Sequence, residues 1–446
     1  MTTSKGSQKW INSGVFALLY QGSVVIFGFA SIFLLVRMMP PSEIGIWVLY
    51  TSVGGIMEAL RNGFIRNALV SKLVVADQSE KSKVVHNSLI LHVLLTLLIV
   101  IILVSTAEML AEFWFAKDIE QLFYVYAGHS IVLIAFLHFE FFLHSTMDFR
   151  AIFITNFIRL FIFLVYIFGY YISGNSPSLI ELAIIQLCST GVASIFSYQL
   201  LKTKIPSFQL NHFDVNILKK LFHLGKYTFG TTISSMLIKN TDSWMIGRLI
   251  STEGVAIYNP ALRISNIVEV PTLAIANIVF PQIGNKMRES GVEGVQTIYY
   301  KSISLLLAVM LPAVLLIYIL ADIIILAIFG YEYMESVPIL QVAVFYTLLV
   351  PFSRQFGTIM EALYMNKLNF YLSLLIAGIN VVLNYFLLQS FGVIGAAYST
   401  VISYCIIFII YQIILYYKFK INIWTVLVEV IAWYVYGWRL LRKWIS

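Results

Sequence analysis

Along most of the chain, apolar residues come in long unbroken runs, and polar residues are confined to the short stretches between them. A soluble amphipathic helix shows apolar positions on one face only, and a half-buried strand alternates. Continuous runs of roughly twenty residues fit helices that cross a bilayer, where every backbone group must be satisfied within the segment. A window of about 19 residues predicts helices over 15–36, 44–60, 88–105, 121–143, 151–172, 179–201, 226–250, 256–281, 302–321, 337–359, 370–389 and 393–417. The loops between them sort by charge. Those with Arg61, Arg66, Lys72, Lys81 and Lys83, with Arg150, with Lys202, Lys204, Lys219, Lys220 and Lys226, with Lys286, Arg288 and Lys301, with Lys367, and with Lys418 and Lys420 are basic. The alternate loops are bare or acidic, as with Glu108, Glu112, Asp118 and Glu120, or Asp322, Glu332 and Glu335. Positive charge stays inside, so twelve crossings with both termini in the cytoplasm are predicted. The last apolar piece, Ile423–Trp438, is interrupted by Glu429 and followed by Arg439, Arg442 and Lys443. As a crossing it would export that charge, so it is predicted to lie in the cytoplasmic interface.

Composition agrees: of 446 residues, 60% are hydrophobic and only 11% charged, too few to cover a soluble core. The fold class predicted is an all-α polytopic membrane protein. The longest polar stretches, Lys72–His86 and Lys202–Lys220, are too short to fold as soluble domains. The net charge of +7 resides in the inner loops and gives no reason to expect nucleic acid. Cys188 and Cys405 lie within apolar segments, as small buried residues do. The first apolar run is too long for a signal-peptide core and lacks a small-residue cleavage site, so it reads as a retained helix.

Six predicted helices precede the basic stretch 202–226 and six follow it. Arg37-Met38-Met39 lies over Arg248-Leu249-Ile250, Trp47 over Tyr258 and Glu58 over Glu269 at one constant offset. The reading is a duplicated six-helix unit: a lobe at 1–201, a linker at 202–226, a lobe at 227–418 and the interfacial segment 419–446. An even helix number makes the repeats parallel.

Charged residues inside crossings cost a few kcal/mol and usually face a partner or a cavity. At helical spacing, Trp47, Thr51, Gly54, Glu58 and Arg61 share a stripe, as do Thr228, Thr231, Ser235, Lys239 and Asp242. Asn259, Arg263, Asn266 and Glu269 form another, and Thr347, Arg354, Thr358 and Glu361 a fourth. These stripes predict a hydrated cavity lined from both halves. Arg263, Arg354, Lys239, Arg61, Asn259 and Asn266 are candidates to bind an anionic or phosphate-bearing substrate, for which guanidinium is suited. Asp242, Glu269 and Glu58 are candidates to bind a coupling cation or to set the arginine geometry. Arg61, Arg66 and Glu361 also lie near helix ends, where snorkelling to headgroups is an alternative. Lys239 and Asp242 are one turn apart and could instead neutralise each other.

No Walker loop is present, so ATP hydrolysis is not expected, and no cofactor is implied. His138, Glu140 and His144 read as one face of the fourth helix, without a further ligand to complete a metal site. No long outer loop with catalytic carboxylates appears, which argues against a membrane polymerase. The chain is not expected to be an enzyme.

Three stretches carry a resemblance. They are Ser42-Glu43-Ile44-Gly45-Ile46-Trp47; Asn240 to Arg248 leading into Gly254 to Ile264; and Asn380-Val381-Val382-Leu383-Asn384-Tyr385 followed by Phe391 to Ala397. Over about residues 10–418 the chain resembles the polysaccharide-transporter family, the Wzx-like flippases, which share a superfamily with the multidrug-extrusion (MATE) and lipid II flippase families. Asp242 and Arg263 fall on the family pattern. Asn62-Gly63 stands where many relatives have an acidic residue before the glycine. The resemblance implies two lobes opening alternately to each side of a bacterial cytoplasmic membrane. The implied substrate is an undecaprenyl-diphosphate-linked oligosaccharide of O-antigen, capsule or exopolysaccharide type, and membrane lipids are further partners. It leaves room for a polysaccharide polymerase or chain-length regulator as a protein partner, and leaves the oligomeric state open. A multidrug or cation antiporter of the same superfamily is the alternative.

Overall fold

The computed structural model describes residues 2–75, 77–202, 213–363 and 365–445. It divides into two compact units, Met1–Met236 and Leu237–Ser446.

In unit 1, α1 (Thr2–Leu35) is followed by α2 (Pro41–Arg61), a π-helical turn (Asn62–Arg66), α3 (Asn67–Val75), α4 (Gln78–Phe113), α5 (Asp118–Ser145), α6 (Phe149–Ser173) and α7 (Leu179–Leu201). The first part of α8 (Val215–Leu249) completes the unit. Their starts follow from sequence. Pro41 occupies the first turn of α2, where its missing N–H would be unpaired in any case. Ser178 and Glu181 form a reciprocal capping box at α7, with bonds of 3.3 and 2.7 Å. At the C-terminus of α6, Gly174 takes the left-handed conformation (φ 71°) that closes the helix. The organising element is α5, which packs on α2, α3, α4, α6 and α7, while α1 lies along α6. Phe64, Ile65, Leu69, Phe136, Leu137, Phe141 and Ile152 form the apolar core around it.

Unit 2 holds the rest of α8, then α9 (Thr252–Ile319), α10 (Ala321–Ile328), α11 (Ser336–Tyr346), α12 (Val350–Ala362), α13 (Asn366–Phe391), α14 (Ile394–Phe419) and α15 (Ile423–Ile445). Two features differ from the hydropathy reading. The stretch predicted as a loop between 281 and 302 is helical, so α9 is 68 residues long, broken at Gly291 (φ 59°, ψ −141°). Polar helix formers such as Lys286, Arg288 and Glu289 extend both arms past the apolar runs. Conversely, the helix predicted over 337–359 is two helices, α11 and α12, separated by a turn at residues 347–349. Pro351 lies in the first turn of α12; it has no N–H to donate and disfavours helical geometry in the residue before it.

Among the described residues, nine helical segments are long and apolar enough to cross a membrane, and one of them is α9. At about 1.5 Å per residue, α9 spans a bilayer core of about 30 Å more than twice. Counting its arms separately and adding the more polar α2 and α8 gives twelve crossings. The protein is a multi-pass α-helical membrane protein.

The apolar part of α15, Ile423–Tyr436, is shorter than a full crossing. It does not float free. Val426 and Val430 are buried against the second arm of α9 with Tyr299, Ile303 and Leu307. Trp433 Nε1 donates to Ser304 Oγ (3.1 Å) and the Tyr434 hydroxyl to the Ala308 carbonyl (2.9 Å). Trp424, Leu427, Val428 and Ile431 face outward.

Candidate functional site

Unit 2 gathers most of the charged residues singled out by sequence. On α8, Asp242 is 4% exposed. Its Oδ1 accepts from Asn384 Nδ2 at 2.6 Å. Its Oδ2 accepts from the hydroxyls of Tyr258 at 2.7 Å and Thr400 at 2.6 Å. One carboxylate therefore ties α8 to α9, α13 and α14. The Asn384 amide, held one turn from Asn380, also donates to Asn380 Oδ1 and the Asn380 carbonyl, both at 3.1 Å. Ser399, one residue before Thr400, donates to that same carbonyl at 3.1 Å. Asn384 Oδ1 is buried without a hydrogen-bond partner among the described residues. The bonds of Asp242 go to the other helices and not to Lys239 one turn away, so that pair does not neutralise itself; Lys239 is exposed.

A second constellation surrounds Glu269 of α9. It faces the Tyr346 hydroxyl of α11, and its flanking cations are Lys239 of α8 and Arg354 of α12. Tyr346 stacks on Tyr404 of α14 with ring centroids 5.1 Å apart. Tyr404 is within electrostatic reach of Glu269, Arg354 and Asp242, and Tyr258 of Tyr346. A run of tyrosines thus joins the two acids. Lys239 and Arg354, predicted from separate stripes, both lie within electrostatic reach of Glu269, and Arg354 also of Glu361. Arg263 lies apart from them, half-buried, donating through Nε to Asn259 Oδ1 at 2.6 Å. Asn259 is buried and Asn266 exposed.

In unit 1 the outcome is different. Arg61 ends α2 fully buried, and Glu58, one turn earlier, is half-buried. The predicted face His138–Glu140–His144 is split, because positions two apart point to nearly opposite sides of a helix. Glu140 accepts from Asn156 Nδ2 of α6 at 2.9 Å and pairs with His144 at 3.7 Å. His138 turns instead toward His92 of α4, with ring centroids 6.1 Å apart. Thr228, Thr231 and Ser235 have side chains outside the described residues.

Sequence reasoning searched for charge, and so missed the neutral partners Tyr258, Tyr346, Asn380, Asn384, Thr400 and Tyr404. Asn380 and Asn384 carried a usable signal: two amides four apart inside an apolar run, on one helical face. The tyrosines carried none, since 26 are scattered through the chain.

The family model for polysaccharide biosynthesis proteins matches residues 34–338. The chain belongs to this family. Among its relatives, a probable low-salt glycan biosynthesis flippase of Haloferax volcanii is 24% identical over 42% of this chain and 40% of its own length. A teichuronic acid biosynthesis protein of Bacillus subtilis is 27% identical over 47% of this chain and 44% of its own. The chain spans less than half the length of either of these curated relatives. In fold, this polysaccharide biosynthesis protein is similar to the lipid II flippase MurJ in an inward closed conformation. The TM-score is 0.74 at 15% identity, covering 94% of this chain and 90% of that one.

Proposed function

We propose that the protein is a flippase that carries an undecaprenyl-diphosphate-linked oligosaccharide, of O-antigen, capsule or exopolysaccharide type, across a bacterial cytoplasmic membrane by alternating access, with both termini cytoplasmic. The observation that carries this reading is that Lys239 and Arg354 both lie within electrostatic reach of Glu269 on the helices of unit 2. Glu361 also lies within reach of Arg354, so the locus carries both signs, and its guanidinium matches the geometry of phosphate oxygens. A diphosphate or acidic sugar would otherwise lose its hydration on entering the bilayer, a large cost that such groups offset. Membership of the polysaccharide biosynthesis family supports a glycan as cargo, and the flippase named among its relatives supports its movement. Arg263, oriented by Asn259, is assigned to the same anionic headgroup. Asp242, at the junction of four helices, is assigned to coupling through a cation or a proton.

The test is Arg263→Ala and Arg354→Ala in cells lacking the native copy. The expected result is undecaprenyl-linked oligosaccharide accumulating on the cytoplasmic leaflet while the protein stays inserted at normal abundance. Normal surface glycan in both variants overturns the assignment of the two arginines. Unchanged glycan on deletion of the whole chain, with altered drug or cation tolerance, moves the protein to the antiporter branch.

A further inference from the structure

Three segments that are separate in sequence meet at one end of unit 1: α3, the start of α4 and the start of α8. Leu69 and Leu73 of α3, Val84 and Val85 of α4, and Leu221 of α8 are buried in one apolar cluster. Two further contacts fix the arrangement. The Asn87 side chain of α4, itself fully buried, donates through Nδ2 to the Lys83 carbonyl at 2.8 Å and accepts through Oδ1 from the Asp214 N–H at 3.1 Å. Gly225 lies so close to the π-helical turn that a Cβ there would sit 2.5 Å from the Phe64 carbonyl oxygen. The first three turns of α8 are therefore laid firmly along the unit. Their inner face is Ile217, Leu218, Leu221 and Gly225; their outer arc places Lys219 and Lys220 between Phe222 and Leu224. Phe222 and Leu224 are exposed, as are Phe213 and Val215 just before them.

Lys72, Lys83 and Lys220 each stand one residue before a buried member of that cluster, so the cluster gathers their charge onto one surface. Arg66, Lys72, Lys81, Lys83, Lys219 and Lys220 face only three acids in the same described segments, Asp77, Glu80 and Asp214. Asp214 is spent on the start of α8, where its Oδ1 accepts from the Asn216 N–H at 2.8 Å. Lys83, Lys219 and Lys220 are exposed and form no ion pair among the described residues. Topology alone would spread basic residues over the loops of one side. It would not set them on an amphipathic helix edged with exposed aromatic and aliphatic side chains. The crossings predicted from 88 and from 226 begin within about 10 Å of these lysines along their helices, which is headgroup depth. Positive charge at that depth, bordered by Phe and Leu, complements an anionic lipid surface. We propose that this end of unit 1 is a docking surface for anionic phospholipid. Lys83, Lys219 and Lys220 meet the headgroup phosphates, and Phe213, Phe222 and Leu224 enter the acyl boundary beside them. The lipid holds the start of α8 against α3 and α4. The surface is independent of the glycan reading, since it needs no cargo.

The experiment is thermal unfolding of the purified full chain in a neutral detergent, with phosphatidylglycerol or phosphatidylcholine of the same acyl chains added in steps. The expected result is a saturable rise of the unfolding midpoint with phosphatidylglycerol and a smaller one with phosphatidylcholine. The triple variant Lys83→Gln, Lys219→Gln, Lys220→Gln should need about tenfold more phosphatidylglycerol for the same rise. The corresponding triple change to Arg should keep the native requirement, as should Lys286→Gln with Arg288→Gln, which removes exposed basic charge from unit 2. Equal midpoints of the native protein in the two lipids overturn the proposal and leave the surface to a soluble acidic protein. An unshifted requirement in the triple Gln variant also overturns it, as does an equal shift in the unit 2 control. An equal rise with glycerophosphoglycerol, which has the headgroup and no acyl chains, would mark a site for a free anion and overturn it as well.

Discussion

In unit 2 the buried Asp242 draws donors from three other helices, whereas in unit 1 the equally buried Arg61 has the Tyr126 hydroxyl beside it and no hydrogen bond of good geometry among the described residues. The difference lies in what an apolar helix carries cheaply. Hydroxyls and amides of Tyr, Thr and Asn all donate, so a lone carboxylate is readily satisfied by groups that cost little elsewhere. A guanidinium needs several acceptors at once, and beside Arg61 stands the Tyr126 hydroxyl, which gives its proton to the Gly54 carbonyl and has only its oxygen left to accept. One charge is held by three donors of its own protein; the other has few acceptors to meet.

This contrast can be broken at several points. Asp242→Leu removes an acceptor and strands three buried donors, so it should cost most, about 3–5 kcal/mol, read as a lowered unfolding midpoint of the purified protein. A loss under 1 kcal/mol would mean that Asn384, Tyr258 and Thr400 find other partners. Gly54→Ala comes next. An added Cβ would sit 2.9 Å from the Tyr126 ring, closer than such contacts normally come. The crowding should cost about 1–3 kcal/mol by displacing Tyr126. Tyr126→Phe removes one hydrogen bond and should cost about 1 kcal/mol, read in the same unfolding measurement. The smallest effect belongs to Arg61→Met, within about 1 kcal/mol of the native protein, because an apolar chain of similar length replaces a buried charge with few acceptors. If Arg61→Met lost as much as Asp242→Leu, Arg61 would be paired as thoroughly as Asp242, and the contrast would fail.

How much of this was readable beforehand varies by element. The apolar runs and the alternation of loop charge gave the helices and their number, since bilayer thickness sets length and inner-leaflet topology sets charge. Pro351 was equally visible, yet the hydropathy window ran straight over it because averaging ignores a missing N–H. Within the candidate site, the charged members Lys239, Glu269, Arg354 and Asp242 stood out by type. That Lys239 and Arg354 both come within electrostatic reach of Glu269 was not legible, for they come from α8, α9 and α12, and no local rule relates residues so far apart in sequence.

The sequence by itself determined that this is a multi-pass helical membrane protein, and which residues are too costly to sit in lipid without a reason. Both follow from transfer free energy, which each segment carries on its own. Only the tertiary structure decided which of those costly groups are compensated. Asp242 is satisfied by Asn384, Tyr258 and Thr400, while Arg61 makes no hydrogen bond of good geometry among the described residues. Hydrogen bonding is short-ranged and directional, so compensation depends on which helix faces meet.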